Sequence, residues 1–584
     1  MVVIAEQLNH LVQARYHRWK SADLPGSIRR ELKNLKSSEI TDRFYTYLNF
    51  GTQGMLGKIG AGTNRMNKYT VGWVTCAFAL DLLEHVHLAR QRGVVIGYDS
   101  RQYSKEFAEH SALVLAEMGV NVYMFQETRP TPQLSFAIRW LHAAAGVMIT
   151  AGNHSSDYNG LKILTEDGTP MQQTMADRMM QVLEGKENEL VIPVMELELA
   201  KESGRLKFID GELDEAYEQS LRFAGFSHEP NFISAPIKVL YNPLQGKGGD
   251  VVCRALSSMG FTEIRELPER LRPNPYFFQM NSLDLDDPAM MEPTLEMART
   301  YRVDLVLITN VETNELNLLV RDYRNGTYVS LSGNQLGALM LDYLCSGRTR
   351  RGLLPPNGVA VKTVLTTELA ASIAESYDVG LVNTLHGFKH IAAKMAYYEK
   401  TAKQSFIFGF DEAGGFVAPG FVRDKDAAQA SMLLTEMAGY YKARDLSLLD
   451  RLEQLYEQHG YFAEDRIMIR FSGLEGLLQI RNVMDRLGDE YPSVLGGLKI
   501  RWICNFNRGE MRKYSRGRLT PAEIPKADLL KFIFEDDSWY AIRPSASDTV
   551  LKLYFGSRGE TRAECRDKLA RIRSEVLYTV ESII

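Results

Sequence analysis

Cysteine is scarce in this chain: Cys76, Cys253, Cys345, Cys504 and Cys565 are the five among 584 residues, far apart and with no CxxC pair. That excludes a disulfide framework and gives no zinc-ligand spacing, so the thiols read as reduced and structural. Long apolar runs are missing too. The N-terminal MVVIAEQLNHLVQARYHRWK has helical periodicity broken by His10, Arg15 and His17, with no signal-peptide core, and no later run is long enough to span a bilayer. A cytoplasmic location without a membrane partner is expected. Nor is there an excess of one charge: 68 Lys and Arg stand against 73 Asp and Glu, a net charge of -5, and the two signs are interspersed. That leaves no electrostatic footprint for nucleic acid. Low-complexity tracts are also lacking, so the whole chain is expected to fold.

What is present is ordinary globular composition, 45% hydrophobic and 24% charged, in a chain too long for one core. At a typical domain size of roughly 150 residues, about four domains are expected. Short apolar strands ending in a polar or glycine turn and followed by helical periodicity recur: GVVIGYDSR at 93–101, GVMITAGNHSSDYNG from Gly146, IKVLYNPLQGKGG from Ile237, VDLVLITNVETNE from Val303 and GVAVKTVLTTE from Gly358. Runs such as VDLVLI lack polar alternation, as central strands covered on both faces do, and ligands of such sheets sit beyond the strands' C-terminal ends. The last hundred or so residues alternate as an antiparallel sheet would and end in a helix from Glu560, which predicts a smaller α+β domain. The expected divisions are 1–205, 206–325, 326–455 and 456–584, with the Glu-rich stretch from Leu183 to Glu202 linking the first two domains and a charged hairpin at Arg321 to Thr327 marking the next break.

Six segments, in order and suitably spaced, carry a resemblance: FGTQGMLGKIGAGTNRMNKYT at 50–70, RPTPQLSFAIRWL at 129–141, YNGLKI from Tyr158, GFDEAGGFV at 409–417, FVRDKDAAQA from Phe421 and RPSASDT at 543–549. Together they resemble the phosphoglucomutase and phosphopentomutase branch of the alpha-D-phosphohexomutase superfamily over nearly the full length. The resemblance implies an α/β architecture of four domains around a central cleft, each giving one loop: phosphoserine, metal, sugar and phosphate. It also implies phosphosugar mutase chemistry, an intramolecular phosphotransfer between an enzyme serine and a sugar. A magnesium ion would neutralise the moving charge.

At those loops the sequence departs from the family. The first reads Thr150-Ala151-Gly152-Asn153-His154-Ser155-Ser156 where the family has Thr-Ala-Ser-His-Asn-Pro, so Gly152 stands at the nucleophile. Ser155 or Ser156 could replace it only across a shift of several ångströms, at about 3.3 Å per extended residue, whereas in-line transfer tolerates about 1 Å. His154 is a candidate acid or base for some other reaction in the cleft. The second loop reads Asn310-Val311-Glu312-Thr313-Asn314-Glu315 against Asp-Pro-Asp-Ala-Asp-Arg, leaving one carboxylate, Glu312, among the three ligand positions Asn310, Glu312 and Asn314. Glu315 inverts the charge of the family's arginine, and could itself turn inward as a substitute ligand. Leu56, Gln245 and Ala413 replace an arginine, a histidine and a serine of the family pattern.

Binding residues remain. Asp411 and Glu412 match the sugar loop, Lys389 in HGFKH matches a Gly-Phe-Lys segment near the cleft, and Arg543, Ser545 and Ser547 match the phosphate loop. The expectation is a catalytically degenerate relative that binds a sugar phosphate or a protein partner and needs no cofactor. The alternative is an active mutase using a relocated serine, and only then with magnesium.

Overall fold

The computed structural model describes residues 2–51, 54–184, 188–223, 235–244, 246, 248–268, 288–471, 473–513, 519–521, 526–545 and 549–584. Four sheets follow one another along the chain. In the first, the strands Ala145–Ile149, Val94–Tyr98, Val122–Phe125 and Leu206–Ile209 run parallel, and Tyr158–Thr165, Gly54–Lys58 and Phe50–Gly51 extend one edge antiparallel. Every residue of Val94–Tyr98 and Ala145–Ile149 is buried, which is why these stretches show no polar alternation. The second sheet sets Ile264–Glu266, Val239–Asn242 and Leu305–Thr309 parallel, with Leu316–Arg321 and Tyr328–Leu331 returning antiparallel. The third has Gly380–Thr384, Gly358–Thr363 and Ser405–Phe410 parallel and Phe416–Val417 antiparallel. The fourth is antiparallel throughout, from Tyr461–Arg470 to Leu519–Pro521, and is covered by Gly473–Asp489 and the last helix, Arg562–Ile583. That is the α+β unit expected of the C-terminal region.

The sheets move two of the expected divisions. Leu206–Ile209 pairs in parallel with Val122–Phe125, so the first sheet runs beyond residue 205. The Glu-rich stretch is part of the first domain rather than a linker. Its Glu189 is fully buried beneath the N-terminal helices, where it accepts hydrogen bonds from Trp19 Nε1 at 2.7 Å and Arg18 at 2.9 Å. The hairpin at 321–327 exists, but its second arm, Tyr328–Leu331, completes the second sheet, so the break follows it at Ser332, the N-cap of helix Gly333–Arg350.

One apolar core is continuous through the first three units and includes Leu134, Tyr217, Tyr241, Leu339 and Leu433. Helix Ala427–Lys442 lies inside it, capped by Asp426, whose carboxylate also accepts a hydrogen bond from Tyr217 Oη at 2.8 Å. The fourth unit has its own core and meets the third where Val364, Leu365 and Leu385 pack with Cys504, Trp539 and Tyr554. Among the described residues no helix is long and apolar enough to cross a membrane.

Candidate functional site: a cleft built from three strand ends

Three of the loops singled out in the sequence follow directly from parallel strands. Residues 150–157 leave Ala145–Ile149, 310–315 leave Leu305–Thr309, and 411–415 leave Ser405–Phe410; the fourth begins where Trp539–Pro544 ends. Polar backbone released at the C-terminal end of a buried strand has to close on itself or on a ligand. The first three loops do so around a cleft of about 940 Å³, counting space open to solvent, lined by residues of the first three units.

The first loop is held from below by Arg101. Its guanidinium, fully buried, donates to the carbonyls of Gly152 at 2.6 Å, His154 at 2.5 Å, Ser155 at 2.8 Å and Tyr158 at 3.2 Å. Gly152 takes a left-handed φ of +55°, its N–H donating to Thr150 Oγ1 at 3.1 Å. A β-carbon there would stand 3.1 Å from Glu312 Oε1. Ser155 Oγ donates to Asp157 at 2.5 Å, and neither Ser155 nor Ser156 lines the cleft. His154 Nδ1 is engaged with the Ala151 carbonyl at 2.9 Å and does not line it either.

The second loop closes on its own amides. Asn310 Oδ1 accepts from the backbone N–H of Asn314 at 3.0 Å and of Glu315 at 3.2 Å, while Asn310 Nδ2 donates to Asn314 Oδ1 at 2.9 Å. Asn314 Nδ2 then donates to Glu312 Oε2 at 2.5 Å. Glu312, 1% exposed, receives the Lys162 ammonium on both oxygens, at 2.5 and 2.7 Å, with Thr150 Oγ1 at 3.0 Å and Thr131 Oγ1 at 3.2 Å. Burial raises the pKa of this carboxyl, but Lys162, Lys425 and the Thr150 hydroxyl together outweigh burial and hold it below the usual range. Glu315 does turn inward, yet onto an ammonium: it pairs with Lys425 and accepts from Asn153 Nδ2 at 2.7 Å.

This donor set does not fit the magnesium ion that the family resemblance implies. A hard dication needs several oxygens with lone pairs turned toward it. Here both Asn carbonyl oxygens accept hydrogen bonds from the loop itself, and the one carboxylate at the three ligand positions is saturated by Lys162 and its neighbours. Lysine ammoniums stand against the acidic groups instead.

The third loop is likewise committed. Asp411 Oδ1 accepts from the N–H groups of Ala413 at 3.0 Å and Gly415 at 2.8 Å, and its other oxygen lies 3.9 Å from Lys425. Glu412 is bound by His386 Nδ1 at 2.8 Å and by Thr363 Oγ1 at 2.7 Å. Burial raises Asp411, with Glu412 adding to the rise, whereas in Glu412 burial is outweighed by His386 together with the Thr363 hydroxyl and the backbone, and the carboxyl is held low. The adjacent Asp424 is pushed up to about 6 by burial. Lys389 lines the cleft, 7% exposed, its pKa lowered by burial. At the end of strand Trp539–Pro544, leading into the fourth loop, Arg543 is 7% exposed; its Nε has no hydrogen-bond acceptor, and its charge, after burial, lowers the pKa of His386. Ser545 caps the strand end, its N–H donating to the Val550 carbonyl at 2.8 Å. Ser547, like Gln245, lies outside the described residues.

Comparison with known proteins agrees with this architecture. Residues 48–189 match the family model for phosphoglucomutase/phosphomannomutase alpha/beta/alpha domain I, and residues 332–459 that for domain III. A phosphoglucomutase of Staphylococcus epidermidis is 33% identical over 89% of this chain and 92% of its own length. The chain belongs to the alpha-D-phosphohexomutase superfamily. A phosphoglucomutase of Staphylococcus aureus is 29% identical over 89% of this chain and 91% of its own. Two solved structures share the fold. Parafusin, a Paramecium phosphoglucomutase in its open form, aligns with a TM-score of 0.63 at 14% identity, covering 92% of this chain and 96% of its own. A phosphoglucomutase/phosphomannomutase family protein of Burkholderia thailandensis aligns at 0.62 and 13% identity, covering 91% and 97%.

Within this superfamily member, the residues that sequence reasoning left without a role are Lys162, Lys425, His386 and Arg101. Lys162 and Lys425 sit inside two of the matched segments, YNGLKI and FVRDKDAAQA, which was the signal available for them. His386 and Arg101 gave only their places beside Lys389 and at the end of a buried strand.

Proposed function

We propose that this phosphohexomutase-family protein does not transfer phosphoryl groups and acts by binding a sugar phosphate, which sets its conformation for a protein partner. The observation that carries this reading is the occupancy of Glu312. Lys162 and Asn314 hold the oxygens that a metal would need, and the facing residue is Gly152, which has no atom to phosphorylate. Nucleophile and metal site work as one unit in phosphoryl transfer, so losing both removes the rate rather than reducing it slightly. Retention of Arg543, buried with an unpaired Nε, and of Lys389 supports a phosphate-binding role.

The test has two arms. A coupled assay with glucose 1-phosphate, glucose 1,6-bisphosphate and magnesium should give no turnover. A hexose phosphate should raise the melting temperature by mass action, and Arg543→Ala should abolish that rise. Turnover above background contradicts the inactive reading; no thermal response to any hexose phosphate at millimolar concentration contradicts the binding one.

The relatives named phosphoglucomutase favour a second reading, in which this chain is itself an isomerase of carbohydrate metabolism. It requires Ser155 or Ser156 to leave the Asp157 turn and approach Glu312 with a bound metal. The same assay decides between the two.

A further inference from the structure

His386 and Glu412 form a pair whose chemistry a binding role leaves unused. Glu412 Oε1 lies 2.8 Å from His386 Nδ1, and the Thr363 hydroxyl donates to Glu412 Oε2 at 2.7 Å, so the carboxylate is held at both oxygens. An ionised carboxylate in this place takes the Nδ1 proton as its hydrogen bond, which leaves the imidazole lone pair on Nε2. Nε2 has no hydrogen-bond partner among the described residues, and the ring, 19% exposed, lines the cleft. Burial, then the charge of Arg543, lowers its pKa, so at neutral pH the ring is an unprotonated base. Immediately after it, Gly387 at a φ of +103° turns the chain into helix Phe388–Thr401. Both Phe388 and Lys389 line the cleft, and their backbone N–H groups have no acceptor among the described residues. The Lys389 side chain, 7% exposed, likewise makes no hydrogen bond among them.

We propose that the cleft enolises the open-chain form of a bound aldose phosphate, with His386 Nε2 as the base and the N–H groups of Phe388 and Lys389 as donors to the resulting oxyanion. The inference rests on the sugar-phosphate reading above and adds a reaction to it. In the step, Nε2 takes the hydrogen from the carbon beside the carbonyl. The C–H electron pair becomes a C=C bond, and the carbonyl π pair moves onto oxygen, where the free N–H groups receive the charge. Return of a proton from Nε2 to the same carbon regenerates the aldose. Return to the former carbonyl carbon, with a proton passing between the two oxygens, gives the ketose, and nothing is oxidised or reduced overall. Such chemistry asks for a positioned base and fixed donors rather than a hydroxyl nucleophile, so a glycine at 152 does not impede it. Glu412, with both oxygens engaged, acts through the imidazole as a positioning residue.

Deuterium exchange tests it. Glucose 6-phosphate is incubated with the protein in D2O, loss of the C2 proton is followed by NMR, and fructose 6-phosphate is assayed in the same sample. The parent protein should catalyse exchange. His386→Gln should slow it by at least roughly a hundredfold, while glucose 6-phosphate still raises the variant's melting temperature. The titratable groups around the ring are Glu412, Arg543 and Lys552, with His390 four residues along the chain. Glu412→Gln keeps an acceptor for Nδ1 but removes the one charge among them that raises the imidazole's pKa. Exchange should persist in that variant at a lower rate, with the acid limb of its rate–pH profile moved to lower pH; an unmoved limb counts against the pair. A parent protein that responds to glucose 6-phosphate by thermal shift yet exchanges no C2 proton overturns the inference and leaves the binding reading in place. Exchange that survives His386→Gln undiminished overturns it as well. Neither thermal shift nor exchange overturns the binding reading itself.

Discussion

Gly152 and Glu312 are fitted to each other: the space a β-carbon would need at position 152 ends 3.1 Å from Glu312 Oε1, and the glycine's φ of +55° is one that side chains rarely adopt. Restoring a serine there is therefore not a simple repair. Gly152→Ser should lower stability by about 1–2 kcal/mol, from backbone strain and crowding against a carboxylate that Lys162 holds in place. Glu312→Asp, which withdraws the carboxylate by one methylene, should recover part of that loss in the double variant, so the two changes should be non-additive in a thermal-denaturation cycle. Strict additivity would show that the two positions do not touch.

The Lys162 and Glu312 pair makes a pH-dependent prediction. Removing the ammonium with Lys162→Met leaves Glu312 charged and buried, a loss of about 3–5 kcal/mol at neutral pH. The folded pKa of Glu312 lies below its ordinary 4.5, so its contribution is present above that value and fades as pH falls through the folded pKa. The deficit of the variant, followed by chemical denaturation, should be full near about pH 7 and shrink below about pH 4. A deficit independent of pH would mean that Lys162 matters only for packing.

Asp424 should behave with the opposite sign. Burial raises it from 3.8 to about 6, so its contribution favours the fold below 3.8 and is lost as pH rises through about 6. Asp424→Asn keeps an oxygen for the Lys425 N–H, now 2.8 Å away, but cannot ionise. The variant should be more stable than the parent by up to about 3 kcal/mol near about pH 7.5 and indistinguishable near about pH 3.5. A variant less stable at neutral pH would indicate that the charge of Asp424 is needed by Lys425 or Lys162.

Magnesium should produce no saturable heat below about 1 mM, with or without sugar phosphate, because the lone pairs at 310, 312 and 314 already accept hydrogen bonds. The triple change Asn310→Asp, Glu312→Asp and Asn314→Asp should create such binding without activity. A tight site in the parent protein, lost in Glu312→Gln, would contradict the occupancy of Glu312 by Lys162.

Much of the fold was legible because buried parallel strands leave a local mark. Positions 305–308 and 94–97 are apolar or glycine because both faces of these strands are covered, and the loop after the first stands where the family places its metal loop. The division between the first two domains was not legible, since Leu206–Ile209 has exposed lysine and phenylalanine at its centre and joins its sheet only as an edge strand. In the site, the substitutions at Gly152, Asn310 and Asn314 could be read one position at a time. Their replacement by Lys162 and Lys425 could not, because each ammonium reaches a loop more than a hundred residues away in sequence. Glu315 shows the same limit: inward turning was foreseeable from its place in the loop, but the Lys425 partner comes from beyond the third sheet.

The most direct test of an inactive nucleophile loop is intact-mass spectrometry of the purified protein after incubation with glucose 1,6-bisphosphate and magnesium. A working mutase must carry a phosphoryl group on a serine between turnovers. With Gly152 where the family resemblance puts the nucleophile and Ser155 bound to Asp157, the mass should be unchanged and no phosphopeptide should appear from residues 150–160. A gain of one phosphoryl group mapped to Ser155 or Ser156, with conversion of glucose 1-phosphate in the same sample, would contradict it.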